Sequence, residues 1–230
     1  MSANHHNPAL KHHFDNLEQQ QASEKLGMWM FLATEVMFFA GLFVAYTAYR
    51  MWYPAEFEYA SSKLNWKFAS FNTLLLVTSS MTITFAIRCA QLGDKKGVYR
   101  NLLLTAALGT GFMVVKGFEY AEDLHEHILP GKHFGGEIKK EAEEKGLNTG
   151  RVQLFLMFYY IMTGIHGVHL VIGIGAVLWL VIEARCGRLE PDNAAKLECV
   201  SLYWHLVDAI WLFLMPLLYL AGAHMKSAGH

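Results

Sequence analysis

Residues 26–50 read LGMWMFLATEVMFFAGLFVAYTAYR, an apolar run bounded by Lys25 and Arg50 with a single charged side chain, Glu35, inside it. At about 1.5 Å of rise per residue a helix of this length crosses the hydrocarbon core of a bilayer, so a transmembrane helix is predicted over about 26–49. Glu35 then lies roughly 15 Å along the helix from Lys25, near the midplane. A carboxylate at that depth costs about 2.5 kcal/mol or more, so Glu35 is expected to be protonated or partnered, to face protein or trapped water, and to serve a purpose.

Four further apolar runs repeat the pattern over about 68–87, 98–121, 152–182 and 199–221, and short polar segments separate them. The predicted fold is therefore all-α: an integral membrane bundle of five transmembrane helices over residues 26–222, with a polar N-terminal tail at 1–25 and an acidic extramembrane loop at 122–151. A net charge of −1 gives no footing for nucleic-acid binding. Cys89, Cys186 and Cys199 make no CxxC, haem-attachment or zinc spacing and read as free thiols. The first residues lack a secretory signal pattern, so the first helix is expected to stay in the mature protein. His5, His6, His12 and His13 in the tail have no cysteine or acid at a fixed spacing and are given no metal.

Between the first two spans, residues 51–67 carry Trp52, Tyr53, Pro54, Phe57, Tyr59 and Trp66, the composition of a short loop at the headgroup level. The second span is rich in small hydroxyl residues, among them Thr73, Ser79, Ser80 and Thr84, which let helices approach closely and bond across the contact. Lys116 and Glu119 near the end of the third span stand three residues apart, placed to pair or to snorkel to the interface. In the fourth span TGIHGVHLVIG sets His166 and His169 among small residues; in the fifth, Ser201, His205 and Asp208 share a face at i, i+4, i+7. Three residues of one helix cannot make a catalytic triad, because the histidine must lie between the other two in space. A polar seam against neighbouring helices is the expected role, and no catalytic residue is assigned.

ATEVMFF around Glu35, FNTLLLVTSSMTIT in the second span, Glu119–Tyr120, TGIHGVHLVIG and LYWHLVDAIWLFL occur in the order of the helices of subunit III of the haem-copper terminal oxidases, which the chain resembles from Leu26 to Ala221. YWHLVDAIW is the most specific element. The mitochondrial form has seven spans; this chain starts at the third and is similar to five-span bacterial forms. It departs from the family at Lys116, where glutamine is usual, and in its long acidic loop.

The resemblance implies a non-catalytic subunit of a bacterial respiratory oxygen reductase, with a cytochrome c oxidase as the first reading. Such a subunit has no cofactor of its own; haem and copper sit in partner subunits. It packs against the catalytic subunit I and other oxidase subunits, binds phospholipid, and supports proton uptake. Glu35 matches the family's membrane-embedded, carbodiimide-reactive carboxyl, and His166, His169, His205, Asp208 and Glu119 fall on motif positions. The location implied is the bacterial inner membrane, crossed several times with the N-terminus in the cytoplasm. Lys and Arg divide evenly between the two sides, and the short basic loop of Arg88, Lys95, Lys96 and Arg100 tips the balance the same way. The acidic loop then faces the periplasm, where a cytochrome c is one partner its charge would steer, although packing on neighbouring subunits is the simpler role. Other readings are the matching subunit of a quinol oxidase or nitric oxide reductase, a stand-alone metalloenzyme using Glu35, His166 and His169, and a transporter. The last lacks an internal repeat.

Overall fold

The computed structural model describes residues 17–125, 128, 135–186, 194–220 and 222. Seven helices and no strand occur among the described residues: α1 Leu17–Trp52, α2 Pro54–Lys63, α3 Trp66–Gln91, α4 Lys95–His125, α5 Gly136–Glu144, α6 Thr149–Arg185 and α7 Ala194–Tyr219. Five of them, α1, α3, α4, α6 and α7, are long and apolar enough to cross a membrane, which is the predicted number and order. Four of them outrun their predicted spans at both ends because helical hydrogen bonding continues past the apolar residues into polar ends, whereas α7 begins before its predicted start and ends at Tyr219, short of the predicted 221. The tail histidines lie outside the described residues, but residues 17–25 are the first turns of α1, not part of a tail.

The predicted headgroup loop contains a helix. Pro54 occupies its first turn, where a missing N–H costs nothing, with Glu56 in the first turn and Lys63 in the last, as the helix dipole favours. Phe57, Ala60 and Leu64 then face the bundle and are buried. The acidic loop likewise holds α5, closed by Gly146 at φ +69°, a left-handed conformation that glycine adopts without strain.

α3 and α4 form an antiparallel hairpin through the turn at Gly93, and Asp94 Oδ1 caps α4 by accepting from Gly97 N at 3.1 Å. α6 packs on α4, and α7 closes the bundle against α3 and α6. Trp204 of α7 is the keystone. A Cβ on Gly109 of α4 would lie 2.6 Å from Trp204 Cη2, and one on Gly173 of α6 would lie 3.2 Å from Cε3. The buried indole thus lies against two helices that only glycine lets approach, and it donates from Nε1 to Ser79 Oγ of α3 at 3.0 Å. α1 rests mainly on α7, and much of its apolar surface, including Trp29, Met37 and Val44, is exposed.

Candidate functional site

Glu35, midway along α1, meets the bundle through His169 of α6, whose Nε2 lies 2.9 Å from Glu35 Oε2. His169 Nδ1 lies 2.8 Å from the carbonyl of Ile165, so Nδ1 must carry a proton and donate it there. A single proton is left for the Nε2–Oε2 contact. It sits on Glu35 with a neutral imidazole, or on an imidazolium facing a carboxylate. Both arrangements have zero net charge, the condition a site near the bilayer midplane demands. Phe39 packs edge-on against the His169 ring at 5.4 Å, and Tyr203 OH donates to the His169 carbonyl at 3.0 Å.

Toward the acidic-loop end of the bundle, Lys116 does not snorkel. It is buried, with Nζ donating to Glu119 Oε2 at 3.0 Å, to Tyr159 OH at 2.9 Å and to Tyr219 OH at 2.6 Å. Both phenols donate onward to Glu119 Oε1, at 2.9 Å from Tyr159 and 2.7 Å from Tyr219. The four side chains close a ring of hydrogen bonds across α4, α6 and α7. Two bonds flank it: Tyr120 OH to Thr163 Oγ1 at 2.5 Å, and Tyr160 OH donating to Asp123 Oδ2 at 3.1 Å.

His166 lies one turn from His169 but is buried against Phe112 and Trp211, and among the described residues neither ring nitrogen has a hydrogen-bond partner. His205 faces α3, with Nδ1 2.8 Å from Ser80 Oγ and Nε2 3.4 Å from Thr84 Oγ1. Trp211 donates to Thr73 Oγ1 of the same helix at 3.0 Å. Asp208 is buried on α7 and faces Ser80 of α3, while neither amide atom of Asn72 on α3 has a hydrogen-bond partner among the described residues. The six residues singled out from the sequence thus fall into separate places: a pair at Glu35 and His169, the ring holding Glu119, and single positions for His166, His205 and Asp208.

On the same side as the ring, α5 lies against α2. Lys63 Nζ donates to Glu141 Oε2 at 2.5 Å, and Tyr59 OH lies 3.1 Å from the same oxygen and 3.2 Å from the Ile138 carbonyl. The Lys63 hydrogen bond holds the Glu141 carboxyl below its ordinary range, while burial pushes the Tyr59 phenol up. Arg151 at the start of α6 donates to Glu56 Oε1 at 3.0 Å and stacks on the Tyr53 ring at 4.2 Å.

Among the described residues no three of His, Cys, Asp and Glu converge as metal ligands would. His166 faces Phe112 and Trp211 while Glu35 and His169 pair with each other, so the reading of a metal held by all three lacks its geometry. Sequence reasoning missed Tyr159 and Tyr219 as polar partners and read Lys116 only as a pair or a snorkel. The adjacent pair Tyr159–Tyr160 inside an apolar run was the available signal.

Known proteins share the sequence of all five spans. The family model described as cytochrome c oxidase subunit III matches residues 11–127 and 150–223, every membrane-crossing helix, and leaves out the stretch that carries α5. A probable cytochrome c oxidase subunit 3 of Nocardia farcinica is 32% identical over 194 residues, 84% of this chain and 86% of the relative. The cytochrome c oxidase subunit 3 of Bacillus sp. (strain PS3) is 30% identical over 197 residues, 86% and 85% of the two chains. A quinol oxidase subunit 3 of Bacillus spizizenii is 28% identical over 202 residues, 86% of each. With the matched segments covering all five spans and both the Glu35–His169 pair and the Lys116 ring lying inside them, the chain belongs to the cytochrome c oxidase subunit III family.

Proposed function

We propose that this chain is the non-catalytic third subunit of a bacterial respiratory haem-copper oxygen reductase. It braces subunit I in the inner membrane, holds phospholipid along its exposed apolar faces, and supports proton uptake while haem and copper in partner subunits carry out the chemistry. The observation that carries this reading is the family match across all five spans. It is supported by buried polar groups that tie the membrane-crossing helices together. The exposed apolar length of α1 offers surface to lipid and to another subunit.

Cytochrome c is the favoured electron donor, because relatives 32% and 30% identical are named cytochrome c oxidase subunits. A quinol oxidase is the second reading, and the Bacillus spizizenii relative is the observation that favours it. With the N-terminus in the cytoplasm, α2 and α5 lie on the periplasmic side. Affinity purification of the intact complex through this chain, followed by mass spectrometry and optical spectra, tests the proposal. A haem-copper subunit I and oxygen uptake sustained by reduced cytochrome c are expected. Oxygen uptake from quinol alone selects the second reading, and a complex without haem or copper overturns both.

A further inference from the structure

We infer that the ring around Lys116 is a cation site in its own right, which accepts small primary ammonium groups and is filled in this protein by the tethered ammonium of Lys116. Hydrogen-bond counting alone does not fix the charge. An ammonium facing a carboxylate, and an amine facing a carboxylic acid, both satisfy every donor and acceptor among Lys116, Glu119, Tyr159 and Tyr219. The aromatic groups decide it. Nζ lies 4.8 Å from the ring centroid of Tyr159, 5.1 Å from Tyr120, 5.3 Å from Tyr219 and 5.6 Å from Trp211. Tyr159 and Tyr219 accept from Nζ through their hydroxyls and so meet it at the ring edge, but Tyr120 and Trp211 make no such bond to it, and their π faces attract a cation and give a neutral amine far less, the more so away from water. Three acceptors at hydrogen-bond distance match the three N–H groups of a primary ammonium.

The site also has an entrance. A half-open cleft of about 360 Å³ runs between α4 and α6, with Lys116, Tyr120, Thr163, Gly164, Gly167 and Trp211 in its wall. Gly164 and Gly167 have nothing within 4 Å of a would-be Cβ, so the cleft is open above them. Because its walls are helices long and apolar enough to cross a membrane, a guest reaches the cage from lipid or detergent. The carboxylate, the two phenols and the indole come from α4, α6 and α7, so an occupied cage fastens three helices at one point.

Lys116→Ala removes the three carbons and the nitrogen of n-propylammonium and leaves the cage intact. The full chain carrying this substitution, purified in detergent, should melt several degrees below the wild type. Millimolar n-propylammonium should restore at least half of the loss in a saturable way. Neutral 1-propanol, of the same shape, should restore none, and the ion should not rescue the double variant Lys116→Ala, Glu119→Gln. Failure of the ammonium to rescue, or equal rescue by the alcohol, overturns the inference. Should Lys116→Ala not fold, nitrogen-15 NMR of the wild-type chain labelled at lysine Nζ provides a second measurement. One slowly exchanging ammonium resonance, lost in Lys116→Gln, is expected, and an amine resonance in its place overturns the inference.

Discussion

His169 holds Glu35 at 2.9 Å through Nε2 while its Nδ1 is committed to the Ile165 carbonyl, so one proton serves the contact between α1 and α6. Polar bonds also fasten α1 toward its ends: Lys25 to Glu198 at 2.7 Å near one, and Tyr46 OH to the Leu217 carbonyl at 2.8 Å near the other. The midplane pair is therefore the central pin of a helix that buries little of its own surface.

Removing one partner of that pin should cost more than replacing the other by an isosteric amide. His169→Leu leaves Glu35 half-buried without its partner, and about 1–3 kcal/mol of helix attachment is expected to go. Glu35→Gln keeps the shape and one hydrogen bond to the imidazole, and should leave assembly intact. Hydrogen exchange across residues 28–44 measures the difference: faster in His169→Leu, close to wild type in Glu35→Gln. Equal exchange in all three chains would show that the pair does not pin α1.

Trp204 gives a sharper steric test. Gly109→Ala drives a methyl to 2.6 Å from Trp204 Cη2, with Ile174 another 3.2 Å away, so the indole must move in a packed interior. Overpacking of this kind costs about 1–3 kcal/mol. Gly164→Ala and Gly167→Ala meet nothing within 4 Å and should melt within a degree or two of wild type in the isolated chain. Thermal unfolding by circular dichroism ranks the three.

How far the sequence carried this fold depends on the range of the interaction. The five spans were legible because a bilayer imposes a length and a polarity that each segment must meet alone. α2 was missed because Trp52, Tyr53 and Pro54 suggested a headgroup loop, yet proline opening a helix, an acid in the first turn and apolar residues at 57, 60 and 64 were a local helix signal. α5 carried its own signal in Ile138 and Ala142, four apart and both buried. The Lys116 ring was not legible, since its phenols stand 43 and 103 residues away in sequence and nothing near Lys116 specifies which helices will face it. That Glu35 needs a partner was legible from its depth in an apolar run, but that His169 supplies it depends on how α1 and α6 face each other, 134 residues apart in sequence.

The acidic loop should act through packing more than through long-range charge. Part of it is held on this chain itself, with Glu141 already matched by Lys63, and Lys139 and Lys140 exposed beside Glu143 and Glu144. Replacing 136–146 by a short glycine-serine linker should lower the melting point of the subunit and leave the salt dependence of donor oxidation unchanged. Charge steering would instead flatten the salt response, because it fades as the Debye length shortens to about 8 Å at physiological ionic strength. Donor oxidation rates across a salt series decide between the two.

The docking of α5 on α2 should loosen in acid. The Lys63 hydrogen bond lowers Glu141 in the folded chain, so the folded state holds that proton less tightly than the unfolded one. The stabilisation is complete above the ordinary carboxylate range of about pH 4 and is lost as pH falls through the lower folded value. Both side chains are about a third exposed, so solvent screens the pair and its worth is about 0.5 kcal/mol. Tyr59 changes the outcome at the other end of the scale: its hydroxyl bonds the Ile138 carbonyl as well, and burial keeps it protonated well into base, so no alkaline loosening is expected. Amide exchange in residues 136–146 should therefore quicken below about pH 4 in the wild type. In Glu141→Gln the same amides should exchange faster at neutral pH and show no acid step beyond the intrinsic pH dependence of exchange. An acid step of equal size in the variant would assign the effect to another carboxylate.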